Sequence, residues 1–278
     1  MLGEQGLLLM FAGVVGDPAG HSLSPAIHRD GYRSNGLEWR YDAYTVTAEE
    51  LDGFVTARLD DPAWAGLSVT APHKEAILAY GAPDEASRLV GGGNTLVFGA
   101  EPAVYNTDVP GFAVAWRAHG LADPRRAALL GNGATARSIV LALARMGLRE
   151  LVVLARRPER AASLISLAAD LGVDAQVRLL GDAVEPVDLV ASTIPADAAA
   201  PHATDLAGSA RVVFDVVYDP WPTPLTDAAA VEGRMVLNGL DLLAGQAVDQ
   251  FRLLTGHAVT FEQCRSAAGR ELKRRASL

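Results

Sequence analysis

The sequence predicts an α/β protein with two domains, one of which has the pattern of a dinucleotide-binding unit. A chain of 278 residues is longer than one hydrophobic core usually supports, so two domains are expected. Half of the residues are hydrophobic and 21% are charged, which is typical of a soluble α/β protein. In mid-chain, a short apolar strand runs into Gly131-x-Gly133-x-x-Ala136 and then into a helical pattern. Because this unit begins so late, another domain must precede it.

The glycine-rich turn has the residue types that a bound pyrophosphate needs. Gly131 allows a tight turn, Gly133 lets phosphates approach the backbone, and Ala136 lets helix and strand pack closely. The helix N-terminus then offers N–H groups and the positive end of its dipole. The helical pattern stops at Gly147, and a second strand is predicted at 151–155.

Composition and charge exclude several classes of function. The formal net charge is −9 and basic runs are confined to the last few residues, so nucleic acid is not an expected partner. The apolar run at 7–15 is too short to cross a membrane, and its leader carries Glu4 without any lysine or arginine, unlike a signal peptide. Cys264 is alone, which excludes an intrachain disulfide or a cysteine zinc cluster and predicts a buried, unreactive thiol. We expect a cytoplasmic protein with no bound metal.

Two serines follow the first predicted strand, at 11–15. Ser22 and Ser24 lie in a loop broken by glycine and proline, and Pro25 then starts a helix. Ser24 could simply cap this helix. Alternatively, the two hydroxyls and the helix N-terminus could receive a carboxylate.

Lys74 lies where a strand predicted at 66–70 gives way to a helix predicted at 74–80. Open α/β sheets place their sites at such strand ends. Only two of the 24 basic residues are lysines, Lys74 and Lys273, so Lys74 is a candidate functional residue. A solvated lysine in the first turn of a helix is the ordinary alternative.

Three further polar residues are candidates that also have ordinary structural explanations. Asn94 stands at the start of a strand and could be a turn residue, and Asp108 could cap the helix predicted at 112–118. Gln246 falls near the apolar face of a late helix, where a buried amide needs hydrogen-bond partners.

The segments after the glycine turn continue the α/β alternation. Strands are predicted at 188–193, 212–216 and 235–237. The proline-rich stretch 217–225 can continue neither sheet nor helix, so we expect it to cross a surface. The basic tail at 270–275 is predicted to be solvated and mobile.

Taken in order, these stretches resemble the shikimate dehydrogenase family over roughly residues 10–265. Each motif is weak alone, but seven in the family's order are specific. They are His21–Pro25 (H-S-L-S-P), Val69–Lys74 (V-T-x-P-x-K), Asn94–Leu96, Asn106–Gly111, the glycine turn with Ser192–Pro195, Tyr218–Leu225 and Gly239–Ala247.

The resemblance implies an NADP-dependent reduction of 3-dehydroshikimate to shikimate in aromatic amino-acid biosynthesis. It implies that Lys74 and Asp108 are the catalytic residues. The implied substrate ligands are Ser22 and Ser24 for the carboxylate, Thr70, Lys74, Asn94, Asp108 and Gln246 for the ring hydroxyls, and Tyr218 where nicotinamide and substrate meet.

The chemistry of the reaction fits these residue types. Hydride delivered to a carbonyl carbon leaves an alkoxide, which an ammonium group can protonate and stabilise while a carboxylate orients both. Arginine holds its proton too tightly for this role, so a lysine in an arginine-rich chain favours function.

The resemblance also implies a domain layout and a cofactor site. A substrate-binding domain at 1–110, completed by 239–278, would flank a Rossmann-type NADP-binding domain at 111–238, with a cleft between them. The residues implied at the cofactor are Gly131, Asn132, Gly133, Ala134, Thr135, Ala136, Arg156, Arg157, Thr193, Ile194, Val216 and Gly239. We expect a monomer or a homodimer with small-molecule ligands only.

Three departures from the family's usual residues bear on the site. Ser68 replaces a frequent asparagine, which puts its substrate contact in doubt. Arg156 and Arg157 follow Ala155 where Asn-Arg-Thr is common, although both arginines could bind a 2′-phosphate. Ala134 replaces a frequent third glycine.

Two rival functions remain at this point. One is an NAD-dependent quinate/shikimate dehydrogenase, for which an acidic residue after Leu154 would be expected; none is present. The other is a non-catalytic metabolite-binding homologue, which the presence of both Lys74 and Asp108 disfavours.

Overall fold

Two six-stranded sheets organise residues 9–277, the part of the chain that this computed structural model describes. One unit, here the terminal unit, contains the chain up to Thr107 and again from Ala247 onward. The central unit runs from Asp108 to Gln246. The leader with Glu4, which was argued not to be a signal peptide, lies outside the described residues. No helix within 9–277 combines the length and apolar character needed to cross a bilayer.

The terminal unit is built on a mixed sheet with the strand order β2-β1-β3-β5-β6-β4. The strands are β1 (Met10–Gly16), β2 (Trp39–Thr45), β3 (Trp64–Val69), β4 (Ala82–Pro83), β5 (Thr95–Val97) and β6 (Ala103–Tyr105). Strand β1 pairs in parallel with β2 and β3, whereas β5 runs antiparallel to β3 and β6. The helices between them are α1 (Ser24–Asn35), α2 (Leu51–Leu59) and α3 (Glu85–Val90).

The central unit is a doubly wound parallel sheet. Its strands are β7 (Arg126–Leu130), β8 (Glu150–Ala155), β9 (Asp174–Leu179), β10 (Val187–Ser192), β11 (Ala210–Asp215) and β12 (Met235–Asn238). Their spatial order, β9-β8-β7-β10-β11-β12, is the 3-2-1-4-5-6 order of dinucleotide-binding folds, in which ligands bind where the order reverses. The helices are α4 (Asp108–Ala118), α5 (Ala134–Arg145), α6 (Ala162–Asp170), α7 (Ala196–Ala199), α8 (Ala203–Ser209) and α9 (Pro224–Val231).

Two helices complete the chain, and the part of them from Ala247 onward belongs to the terminal unit. They are α10 (Gly239–Thr255) and α11 (Phe261–Ala276). Gly31 of α1 packs against Phe251 of α10 so closely that a Cβ on Gly31 would lie 2.5 Å from the ring. The predicted inert thiol is confirmed, because Cys264 of α11 is 1% exposed and burial raises its pKa to about 12.

Several local predictions were wrong. Ser24 is not the cap of α1 but its first residue, because the Leu23 carbonyl accepts the first helical hydrogen bonds, from Ala26 N–H at 3.0 Å and Ile27 N–H at 3.3 Å. The helix predicted at 74–80 is only a 3-10 helix, Ala76–Tyr80, because the Lys74 carbonyl accepts a hydrogen bond from Gly93 N–H instead of entering a helical ladder.

Two helix ends also differ from the predictions. Helix α4 begins at Asp108 itself, where a carboxylate interacts favourably with the helix dipole. The tail at 270–275 is not a mobile segment but the last part of α11.

Candidate active site

The ends of parallel strands β1 and β3 bring two of the predicted substrate segments together. Thr70 N–H donates to Val15 O at 2.9 Å, and Asp17 N–H donates to Ala71 O at 3.0 Å. A Cβ on Gly16 would overlap the Thr70 methyl group, so only glycine permits this approach. The backbone at Thr70 is therefore fixed at the sheet edge where such folds place their sites.

Lys74 lies in the turn that follows Thr70, and this turn is anchored through the Lys74 backbone and through the His73 side chain. The Lys74 carbonyl accepts from Gly93 N–H at 2.8 Å. Its neighbour His73 is buried, and the Nε2–H group of His73 donates to Val46 O at 2.7 Å. The half-buried Lys74 side chain thus starts from a backbone position that two neighbouring segments determine.

Asn94 lies beside this turn with one end of its amide already committed. Its Oδ1 atom accepts from Thr107 N–H at 2.8 Å, from the Thr107 hydroxyl at 3.0 Å and from the Thr95 hydroxyl at 3.2 Å. Its backbone N–H donates to Tyr105 O at 3.0 Å. The Oδ1 atom of Asn94 is therefore committed to Thr107 and Thr95.

Ser22 and Ser24 are held by different contacts. Ser22 N–H donates to Ala19 O at 2.9 Å, and Ala19 N–H in turn donates to the Thr45 hydroxyl at 3.1 Å. Ser22 is partly exposed, whereas Ser24 is only 5% exposed. The loop thus turns the accessible Ser22 towards solvent and keeps Ser24 in the protein interior.

A buried hydrogen-bond network next to these serines was not predicted. The Gln250 Nε2 group donates to Asn94 O at 3.1 Å and to the Thr95 hydroxyl at 2.8 Å, which fixes the orientation of the amide. Gln250 Oε1 must then accept from the Ser68 hydroxyl at 2.7 Å. Since the Ser68 proton is committed, the Tyr41 hydroxyl donates to Ser68.

This network explains what the serine at position 68 does in place of asparagine. Ser68 is 3% exposed, and its single proton points at Gln250. It has no proton left to donate to a ligand. Ser68 therefore cannot donate the hydrogen bond to the substrate that the sequence departure had already put in doubt. Tyr41 and Gln250 are far apart in sequence and carry no motif, so sequence patterns could not have identified them.

In the central unit, the glycine turn lies against the end of β10. Gly131 has φ +105°, and a Cβ there would overlap the Thr193 hydroxyl and lie 3.1 Å from Ile194 Cγ2. The Asn132 Nδ2 group donates to Arg160 O at 2.7 Å. Gly133 precedes α5 at the cap position with open space at its Cβ position, and the predicted residues Ala134, Thr135 and Ala136 form the first turn.

A pocket of about 370 Å³ lies beside this turn at the end of β8. Arg156, Arg157 and Arg160 line it together with Gly131, and Asp197 is the one carboxylate among its lining residues. Three guanidinium groups near a glycine turn fit a phosphorylated dinucleotide, since the turn suits the pyrophosphate and the arginines suit a further phosphate. Arg160 was missed from the sequence, although its spacing in R-R-P-E-R offered a signal.

Five further predicted residues lie in the central unit: Val216, Tyr218, Gly239, Asp108 and Gln246. A Cβ on Gly239 would overlap Val216 O and lie 2.8 Å from Tyr218 Cδ1, so these three residues adjoin. Asp108 and Gln246 are both buried, at 4% and 6% exposure.

Helices α4 and α10 are in direct contact at Gln246. A Cβ on Gly111 of α4 would overlap the Gln246 backbone in α10. The Gln246 Nε2 group donates to Leu243 O at 2.9 Å, so part of its amide is satisfied within its own helix.

Comparison with known proteins places this architecture in one family. Residues 14–96 match the family model described as the shikimate dehydrogenase substrate binding domain. The NADP(+) shikimate dehydrogenase of Methanocella arvoryzae is 33% identical over 257 residues, covering 90% of this chain and 94% of that protein.

Two solved structures show the same fold along nearly the whole chain. The Mycobacterium tuberculosis shikimate dehydrogenase superposes with a TM-score of 0.85 at 38% identity, covering 94% of this chain and 99% of that one. The Thermus thermophilus shikimate 5-dehydrogenase, solved in complex with NADP(H) and shikimate, gives a TM-score of 0.79 at 29% identity, with 94% and 99% coverage.

Proposed function

This chain belongs to the NADP-dependent shikimate dehydrogenases, and from that premise we propose which of its residues perform the reaction. The protein is an oxidoreductase that reversibly reduces 3-dehydroshikimate to shikimate with NADP(H), a step of aromatic amino-acid biosynthesis. The proposal concerns the roles of individual side chains.

The observation that carries the proposal is the anchored turn from Thr70 to Lys74. The Gly93 N–H group binds the Lys74 carbonyl and the His73 side chain binds Val46 O, so two contacts with other segments preset the position of Lys74. Preset position is what a proton donor needs, because a misplacement of about 1 Å can cost two orders of magnitude in rate.

In the reductive direction, NADPH supplies a hydride to the carbonyl carbon of the substrate. We propose that the Lys74 ammonium donates a proton to the resulting alkoxide. Asp108 orients the ammonium and an adjacent substrate hydroxyl. Asn94 contacts a ring hydroxyl, as the family resemblance implies.

The other substrate contacts follow from the family resemblance. Ser22 and Ser24 hold the carboxylate, and Thr70 and Gln246 contact ring hydroxyls. Tyr218 borders the nicotinamide, next to Val216 and Gly239. Ser68 is left out of the contact set, because its proton is donated to Gln250.

Cofactor choice is assigned to the pocket beside the glycine turn. Arg156 and Arg157 bind the 2′-phosphate of NADP, and Arg160 adds a third positive charge. The NAD-dependent quinate/shikimate alternative requires a carboxylate for the free ribose hydroxyl. Asp197 is the one acidic residue that lines this pocket, and the three arginines leave the charge of its lining positive.

The test is a pair of Lys74 substitutions. Lys74→Ala removes an interaction that is stronger in the transition state than with bound substrate, so we expect kcat to fall on the order of a hundredfold or more with a smaller change in KM. Lys74→Arg keeps the charge but not a transferable proton, so it is expected to fail as well. Steady-state oxidation of shikimate by NADP⁺ measures both.

The same variants distinguish catalysis from folding and charge steering. Their thermal unfolding and NADP⁺ affinity are expected to match those of the unsubstituted protein, because Lys74 is only half buried. A fully active Lys74→Arg enzyme would refute the proton-donor assignment and leave Lys74 as an electrostatic contact.

Assembly and location form part of the same proposal. We propose a cytoplasmic enzyme that acts as a monomer or a homodimer, supported by the net charge of −9 and by a buried single cysteine. Light scattering on the purified chain measures the assembly state, and any larger species would contradict it.

A further inference from the structure

The last turn of α11 reaches the loop that carries Ser22. Arg275 donates from Nη1 to His21 O at 2.7 Å and from Nη2 to Ser22 O at 3.0 Å. These are consecutive carbonyls, and the planar fork of a guanidinium can bind both at once. The Arg275 side chain is 31% exposed, so water competes only in part for these contacts.

Glu271 fixes the orientation of this guanidinium. Its Oε1 atom accepts from Arg275 Nε at 2.9 Å, so every nitrogen of the Arg275 guanidinium has a partner. Arg274 donates to both carboxylate oxygens of Glu271 at 2.8 Å. Hydrogen bonds from Arg274 and Arg275 lower the pKa of Glu271 to about 2, so the carboxylate stays charged near neutral pH.

The helix that carries Arg275 is itself attached to α1. Gln263 donates to Asp30 at 3.2 Å and to the Ser34 hydroxyl at 2.8 Å, and Arg270 donates to Asp30 at 2.8 Å. Because α1 begins at Ser24, the same helix continues directly from the Ser22 loop. Arg275, in the last turn of α11, therefore binds the loop that leads into the first turn of α1.

Binding both carbonyls constrains the two peptide planes that flank Ser22. In a trans peptide the N–H group points away from the carbonyl oxygen, so each plane directs its N–H away from Arg275. In this arrangement Ser22 N–H reaches Ala19 O, and the Ser22 hydroxyl reaches Ser24 N–H. Loss of the Arg275 contacts would let both planes rotate and would move the hydroxyl.

We infer that Arg275 is a positioning residue for the substrate carboxylate: its guanidinium holds the His21 and Ser22 carbonyls so that the Ser22 hydroxyl faces the ligand. The inference rests on the proposed carboxylate contact of Ser22. It gives the basic end of the chain a role in substrate affinity, and none in proton transfer.

Arg274 offers a matched control for the test. It lies on the same helix turn and pairs with the same carboxylate, but its contacts are with Glu271 rather than with the loop. Arg275→Gln and Arg274→Gln remove the same charge. We expect Arg275→Gln to raise KM for shikimate about tenfold, with kcat and KM for NADP⁺ changed less than twofold, and Arg274→Gln to leave all three within twofold.

Arg275→Lys separates position from charge. Lysine keeps the positive charge but cannot bind two carbonyls and Glu271 in one plane, so KM for shikimate should remain several-fold raised. Full recovery in this variant would show that charge alone matters and would overturn the positioning role. Equal KM effects of Arg274→Gln and Arg275→Gln would overturn it as well.

Ser22→Ala and the double variant separate this inference from the proposed function. If Arg275 acts through Ser22, the two substitutions together should raise KM little more than Ser22→Ala alone. No KM change in Ser22→Ala would refute the proposed carboxylate contact itself. A raised KM in Ser22→Ala with a normal Arg275→Gln enzyme would refute only the role of Arg275.

Discussion

Arg156, Arg157 and Arg160 place three positive charges beside the glycine turn. A charge-assisted hydrogen bond to phosphate contributes roughly 1.5–3 kcal/mol. Arg156→Ala should therefore raise KM for NADPH by about ten- to a hundredfold and change KM for NADH much less. Arg211→Ala, on a side chain that is 82% exposed at the surface of the central unit, serves as the control. Equal effects on both cofactors would rule out phosphate recognition by Arg156.

Single residues could be predicted from the sequence where their chemistry is local. Lys74 stood out because lysine is rare here and because it follows a strand, and its catalytic role stays a prediction that the Lys74 substitutions test. The hydroxyl of Ser68 could not be understood in the same way. Its partner Gln250 is 182 residues away, and only the fold brings them within 2.7 Å.

At the scale of elements, the loop from β11 to α9 depends on one threonine. The Thr223 hydroxyl donates to Asp215 at 2.7 Å and accepts from Thr226 N–H as the cap of α9. Asp215 is fully buried, and this burial raises its pKa. The loop between Asp215 and Thr223 carries Tyr218, so its geometry affects the nicotinamide side of the proposed site.

Thr223→Ala should destabilise the central unit by about 2–4 kcal/mol. Loss of a helix cap costs about 1 kcal/mol, and a buried carboxylate that loses a donor adds roughly 1–3 kcal/mol. Thr260→Ala removes a cap of α11 that contacts Gln263 N–H at an exposed position, so it reports the cap contribution alone. Urea unfolding measures both, and equal losses in the two variants would contradict the Asp215 contribution.

Elements with a clear periodic pattern of apolar residues were predictable from the sequence, and short elements were not. The strands around the glycine turn and the helix that ends before Gly256 were found from their apolar patterns. Strand β4 has two residues and β6 has three, which is too short for any period to show. Helix α3 was also missed, although Asp84 accepts from Ser87 N–H at 2.7 Å and so gave a cap signal.

At the scale of the whole molecule, His28 and Gln250 join segments 222 residues apart. The His28 Nε2–H group donates to Gln250 Oε1 at 3.2 Å, and its ring stacks on Tyr41 with centroids 4.1 Å apart. Within the described residues, His28 Nδ1 has no hydrogen-bond partner. Burial lowers the pKa of His28 to about 4, because protonated Nδ1 would be an unpaired buried cation.

The stability of the terminal unit should therefore fall with acidification between pH 6.5 and about 4. In this window the unfolded chain binds a proton that folded His28 does not, so stability is lost as the pH falls. The full loss is on the order of 3 kcal/mol, and it levels off below pH 4. His28→Gln is expected to be less stable at pH 7 but to lose less across the window.

Urea unfolding at pH 7, 5.5 and 4 would measure this slope. His257→Gln, which replaces an exposed histidine, is the matched control and should keep the slope of the unsubstituted protein. A His28→Gln protein with the same slope would show that acid destabilisation arises elsewhere.

The division of the terminal unit between the two ends of the chain sets an order for folding during synthesis. A ribosome releases residues up to Thr107 first and the entire central unit next, so the central sheet can form while the segment from Ala247 onward is still being made. Until Gln250 emerges, His28, Ser68 and Thr95 lack the amide that joins them. At about 5–20 residues per second, synthesis of residues 108–246 takes roughly 7–28 seconds, and during this time all six strands of the terminal sheet lack the helical segment that covers their polar groups and apolar surface. A nascent chain stalled at Gln246 should thus be protease-resistant in its central unit and cleaved readily before Thr107.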